Sequence, residues 1–190
     1  MSGFLVPLGT PGFKIGHIDH MLGHRLAGNA ELIFEDCRVP ARYLLMEEGK
    51  MFTYRMSGWQ ITQLTAQASA VGEMQECYEM TLEYAKTRIQ GGKPIIQHIN
   101  VGTKLAEILG WIEAARALIY KVAWSYDTQY EYNPAMIYVT NAYVKELRLK
   151  VVENAIDIWA GYGIQIESPI QMYIRNAWSM MHGGGLPTIN

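Results

Sequence analysis

Arg88 and Gln90 are the residues of this chain best suited to gripping a phosphate. They lie in the phrase RIQGGKPI, residues 88–95, between two long amphipathic segments. A guanidinium offers a planar fork of N–H donors that matches phosphate oxygens, and it stays charged throughout the physiological range. A polar residue two places on adds another polar contact. Gly91 and Gly92 then let the backbone turn tightly or approach a bulky ligand. The same letters also suit a plain helix C-terminus, with a basic residue near the dipole and a glycine stop. The segment alone leaves both readings open.

A second group is HIDHMLGH, residues 17–24, which gathers His17, Asp19, His20 and His24. Such spacing can bind zinc. No further ligand stands nearby, so we read an ordinary loop and strand and expect no metal. Trp59, Trp111, Trp124, Trp159 and Trp178 could stack on nucleic-acid bases. With no basic patch to accompany them, they read as helix packing. The eleven methionines read as core filler and adaptable interface.

Composition narrows the partners. Of the 190 residues, 49% are hydrophobic and only 18% charged. That is less charge than a well-solvated monomer carries, and we expect surface destined for burial against other subunits. The net charge of -2, without a run of lysines and arginines, argues against nucleic acid. Cys37 and Cys77 lie far apart, without metal-type spacing, which fits reduced thiols and a cytoplasmic location. No stretch approaches the ~20 unbroken apolar residues of a membrane span. The N-terminus MSGFLVPLGTPG does not read as a signal peptide.

Two textures must hold these residues in place. Residues 1 to 48 are rich in glycine and proline, with short apolar runs such as FLVPL and ELIFEDCRV, and read as strands and turns. From residue 49 onward the pattern is helical. Spacings of three and four predict helices over about 50–87, 96–127, 133–161 and 169–181. Asn133-Pro134 is a cap followed by proline at a first helical position, and Gly161 is a stop. The expected fold is mainly α: an antiparallel up-and-down four-helix bundle at 49–190, preceded by a β-rich remnant at 1–48.

Taken in order, four phrases resemble the C-terminal part of the acyl-CoA dehydrogenase family. They are LGHRLAGNAELIFEDCRVPARYLLMEEGKMF (22–52), RIQGGKPI (88–95), KLAEILGWIEAARALIY (104–120) and IWAGYGIQIESPIQMYIRNAW (158–178). The resemblance runs from the end of that family's middle β-domain through its C-terminal helical domain. The family's N-terminal helical domain has no counterpart in these residues. The resemblance implies FAD as cofactor and α,β-dehydrogenation of an acyl-CoA thioester. It also implies an electron-transfer flavoprotein as acceptor and a homodimer or homotetramer.

It further implies roles for single residues. Arg88 matches an arginine that contacts FAD pyrophosphate across the dimer interface, and Gln90 the polar residue after it. Gly161 and Gly163 match a glycine-rich turn that carries the other subunit's FAD, and Asp157 stands where that turn usually has glutamine. Several positions depart from the pattern. Gly91 replaces a phenylalanine beside the cofactor, His98-Ile99 a phenylalanine-glutamine pair, Trp159 a histidine or phenylalanine, and Ala160 a glycine. The usual catalytic carboxylate falls at Gly184, and the alternative place on the first long helix falls at Thr62-Gln63. His182 is the nearest titratable side chain that could act as base. Glu73 and Glu76 read as bundle-surface residues. Two further readings follow from the missing carboxylate: a flavin monooxygenase of the same fold, and a non-catalytic helical oligomerisation module.

Overall fold

Spacings of three and four resolve into four helices: α1 Met51–Thr87, α2 Ile99–Thr128, α3 Ala135–Trp159 and α4 Gln171–His182. The structure is a computed structural model that describes residues 1–183, with Ser57 described for its backbone only. By its contacts the chain divides into two units, Met1–Ile61 and Thr62–Asn190, and α1 runs through both.

The first unit holds two antiparallel strand pairs. Strand β1 (Gly3–Phe4) pairs with β4 (Leu44–Leu45), and β2 (Phe13–Asp19) pairs with β3 (Asn29–Phe34). Phe13 lies opposite Phe34, and their rings stack at 5.0 Å between centroids. The register slips between Ile15 and Ile18, as a bulge would make it. Ile15, Ile18, Leu32 and Phe34 stay exposed.

In the second unit, cross-helix pairs define the topology. Gln67 meets Asn141, Glu73 meets Arg148 and Thr81 meets Trp159, so α1 and α3 run parallel. Lys104 meets Asp157 and Glu107 meets Asn154, so α2 runs opposite to α3. Lys145 reaches Gly183 at the end of α4, which reverses direction again. This is the antiparallel up-and-down bundle that the apolar spacing implies.

The core is built from α1 (Val71, Met74, Cys77), α2 (Ile108, Ile112, Ala115), α3 (Val144, Leu147, Val151) and α4 (Tyr173, Ala177). Asn133 caps α3, its Oδ1 accepting from the Ala135 N–H at 3.0 Å. The buried face of α3 also carries Asn141, Lys145 and Arg148, while the apolar Val139 and Tyr143 are exposed. Apolar spacing alone would have rolled the helix toward those two residues.

Candidate functional site

Helix α1 ends where Arg88 begins a hairpin. The Arg88 N–H still donates to Tyr84 O at 2.8 Å, closing the last helical turn. Its carbonyl then accepts from the Ile95 N–H at 2.8 Å, tying the far side of the hairpin back to the helix. Between them, β5 (Ile89–Gln90) pairs with β6 (Lys93–Pro94). Gly91 and Gly92 form the turn with φ of 62° and 77°. Two successive left-handed residues are what a tight two-residue hairpin requires, and glycine supplies them without strain. A side chain at Gly91 would also contact the His98 ring, whose Cε1 lies 3.5 Å from the Cβ position. His98 Nε2 sits 3.0 Å from Gln90 O, so the imidazole braces the turn that has no side chain of its own.

Arg88 and Gln90 are exposed on this hairpin. The Arg88 guanidinium makes no ion pair among the described residues. A charged fork held on a braced turn and left facing solvent is preorganised for an anion.

The glycine-rich turn meets the same end of the bundle. Trp159 closes α3, and its Nε1–H donates to the fully buried Thr81 Oγ1 at 3.1 Å. The Trp159 ring stacks on Tyr84 at 4.2 Å and on Tyr162 at 5.6 Å. Tyr84 lies one helical turn before Arg88, so these rings couple the arginine hairpin to the turn at 160–163. Gly161 is exposed with open space around it. Gly163 is buried, and a Cβ there would lie 2.8 Å from Trp159 Cβ. That glycine is required for packing, whereas Gly161 is free to face a ligand.

Ala160 between them has φ 51° and ψ −139°, a region that only glycine adopts comfortably. Asp157 is exposed in the last turn of α3, with Lys104 Nζ 2.5 Å from its Oδ2. The carboxylate charge is thereby offset by an ammonium.

The structure thus gathers Arg88, Gln90, Asp157, Gly161 and Gly163 at one end of the helical unit. His182 is elsewhere. It is exposed at the end of α4, stacked near Trp178 at 6.3 Å, where Lys145 Nζ donates to Gly183 O at 2.8 Å. Lys145 lies some 20 Å down α3 from Trp159 at the usual helical rise. Gly184 lies outside the described residues. Thr62 is exposed and Gln63 buried on α1, with no carboxylate at either. Among the described residues no group of three or more His, Cys, Asp or Glu side chains could hold a metal ion. Among the described residues no helix is long and apolar enough to cross a membrane.

Polar side chains in the interior escaped sequence reasoning. Glu73 is not a surface residue: only 29% of its side chain is exposed, and it pairs with Arg148, which is 4% exposed. Burial lowers the Arg148 pKa, and the Glu73 charge and hydrogen bond oppose that shift. Burial likewise lowers the Lys145 pKa. Tyr173, with its hydroxyl near Met80 Sδ, is raised to about 12 by burial and then by the charges of Glu76, Cys77 and Glu73. The aromatic group of Tyr84, Trp159 and Tyr162 was equally invisible. Its one trace in the sequence was tryptophan at a position where histidine or phenylalanine is usual.

Residues 52–189 match the family description "Acyl-CoA dehydrogenase, C-terminal domain". The chain belongs to the acyl-CoA dehydrogenase family. It is 33% identical over 177 residues to cyclohex-1-ene-1-carbonyl-CoA dehydrogenase of Syntrophus aciditrophicus, covering 93% of this chain and 43% of that protein. Its structure is similar to that of butyryl-CoA dehydrogenase from Megasphaera elsdenii. There the TM-score is 0.90 at 30% identity, over 98% of this chain and 49% of that one. It is also similar to a chain in the structure described as the electron transferring flavoprotein of Acidaminococcus fermentans. That match has a TM-score of 0.91 at 30% identity, over 98% and 49% of the two chains. The chain therefore spans about half the length of these acyl-CoA dehydrogenase relatives.

The groups at the bundle end fit the diphosphate of FAD. They are a solvent-facing guanidinium, an exposed amide and an open glycine, with the Asp157 carboxylate paired to Lys104.

Proposed function

We propose that this chain is the helical part of an FAD-dependent oxidoreductase that removes hydrogen from the α and β carbons of an acyl-CoA thioester. Acyl-CoA as the substrate class is supported by relatives named for cyclohex-1-ene-1-carbonyl-CoA and butyryl-CoA. FAD, when bound, supplies the hydride acceptor. The likeness to a structure named for an electron transferring flavoprotein supports that protein class as the onward electron carrier.

The residues of this chain bind and orient. Arg88 forks onto the diphosphate, and Gln90 adds an amide beside it. The open backbone at Gly161 allows the cofactor to approach. Tyr84, Trp159 and Tyr162 hold the hairpin and the glycine turn in one geometry, so the donors need no rearrangement on binding. Such a surface works between copies, and we assign it to a homodimer or homotetramer. Low charge content and exposed side chains such as Tyr120 and Trp124 favour that assembly.

The observation that carries this reading is the exposed Arg88 guanidinium, braced by its hairpin and free of any ion pair among the described residues. Thr62 favours a second reading. A hydroxyl stands at the alternative place for the base, with Gln63 in the place of the arginine after it, as in a module whose chemistry belongs to a partner chain. FAD titration followed by flavin fluorescence separates the two. Saturable binding that weakens by tenfold or more in Arg88→Ala supports the first reading, at about the strength of a charged hydrogen bond. Absence of binding supports the module.

A further inference from the structure

We propose, resting on that cofactor reading, that Lys104 is a diphosphate-binding residue, presented to the cofactor by Asp157. The resemblance puts an amide donor where this chain has Asp157. A carboxylate has no N–H to give and repels a phosphate at short range. The structure resolves the conflict on another helix. Lys104, in the second turn of α2, places Nζ 2.5 Å from Asp157 Oδ2.

An ammonium has three donors and the carboxylate takes one of them. The Lys104 side chain is 33% exposed, and its partner Asp157 lies one helical turn before Gly161. Asp157 lies in the last turn of α3, where the orphan carbonyls and the negative end of the dipole hold a cation in place. The pair thus does the work of an amide: one group orients and the other donates. The pair carries no net charge, and it puts an ammonium donor at the end of the bundle that already presents Arg88.

A simple tether between α2 and α3 makes a different forecast, and the two signs separate them. As a tether, the pair loses equally whichever partner is removed. As a binding device, it loses affinity only when the cation is removed. ADP carries the diphosphate without the flavin and serves as the probe, measured by calorimetry on the whole chain together with its thermal midpoint. We expect Lys104→Met to weaken ADP binding about tenfold, and Lys104→Arg to restore it. Asp157→Asn keeps an oxygen that accepts from Lys104 and removes the negative charge, so it should bind ADP more tightly than the parent.

Equal weakening in Lys104→Met and Asp157→Asn, in step with lost stability, would overturn the proposal in favour of a tether. If Arg88→Ala weakens binding and Lys104→Met does not, the Lys104 role falls while the cofactor reading stands. If the parent binds no ADP, both fall.

Discussion

Arg148 of α3 is buried against Glu73 of α1, and the two form an ion pair inside the helical unit. The pair joins two parallel helices of the up-and-down arrangement. Lys145, one turn before Arg148, is also buried and reaches the Gly183 carbonyl. Helix α3 thus contributes two buried cations, one spent on α1 and one on the end of α4. Removing one partner from a buried pair leaves the other uncompensated, which costs about 3–5 kcal/mol. Glu73→Gln should sit toward the low end of that range, because Glu73 is partly exposed. The double change Glu73→Leu with Arg148→Met should lose less than Glu73→Gln alone. Urea denaturation of the three proteins decides this, and a Glu73→Gln protein as stable as its parent would remove the pair from the account.

Ala160 occupies a backbone conformation suited to glycine, at the exit of α3. Relief of that strain, less the entropy glycine loses on folding, leaves a net gain of about 1 kcal/mol. Ala160→Gly should therefore raise the thermal midpoint by a few degrees. A lower midpoint would show that the alanine is at ease there.

These two cases mark what the sequence could and could not reveal. The four helices, the Asn133 cap and the Gly91-Gly92 turn were legible because local chemistry sets them. Periodicity places apolar faces, an amide caps a helix, and two glycines make a hairpin. Glu73 was misread because its partner is on another helix, far away in sequence. A charged residue at helical spacing looks like solvated surface until that partner is known. Val139 and Tyr143 are apolar yet exposed, because the buried face of α3 holds Asn141, Lys145 and Arg148 instead. At the candidate site, Arg88 and Gly161 could be named from their phrases. The Lys104–Asp157 pair and the three stacked rings could not, because each spans separate helices.

Cys77 is fully buried, and burial, followed by the Glu73 charge, pushes its thiol from 9.0 to about 12. In the unfolded chain the thiol ionises first, so the unfolded state holds fewer protons between those values. The stability contributed by Cys77 is complete below pH 9 and is lost as pH rises toward 12. Cys77→Ala should flatten that part of the stability profile relative to the parent. In native protein a thiol reagent should modify Cys37 and spare Cys77. Rapid labelling of both would contradict the burial.

Gly91 and His98 act as one unit in the hairpin. Gly91→Ala places a side chain at positive φ against the imidazole, at a cost of about 1 kcal/mol. His98→Ala removes the brace on Gln90 O. Amide exchange at Ile95, whose N–H holds the hairpin to Arg88, should then speed up while core amides of α2 stay protected. Unchanged exchange at Ile95 would mean that the ring only fills space.

Sedimentation of the purified chain with added FAD, followed at the flavin absorption band for the parent and for Arg88→Ala, tests the phosphate grip of Arg88 directly. Flavin should travel with a dimer or larger assembly of the parent. In Arg88→Ala the same assembly should form and carry far less flavin. An assembly that carries no flavin, or one that carries it equally well without Arg88, would show that Arg88 does not hold the cofactor.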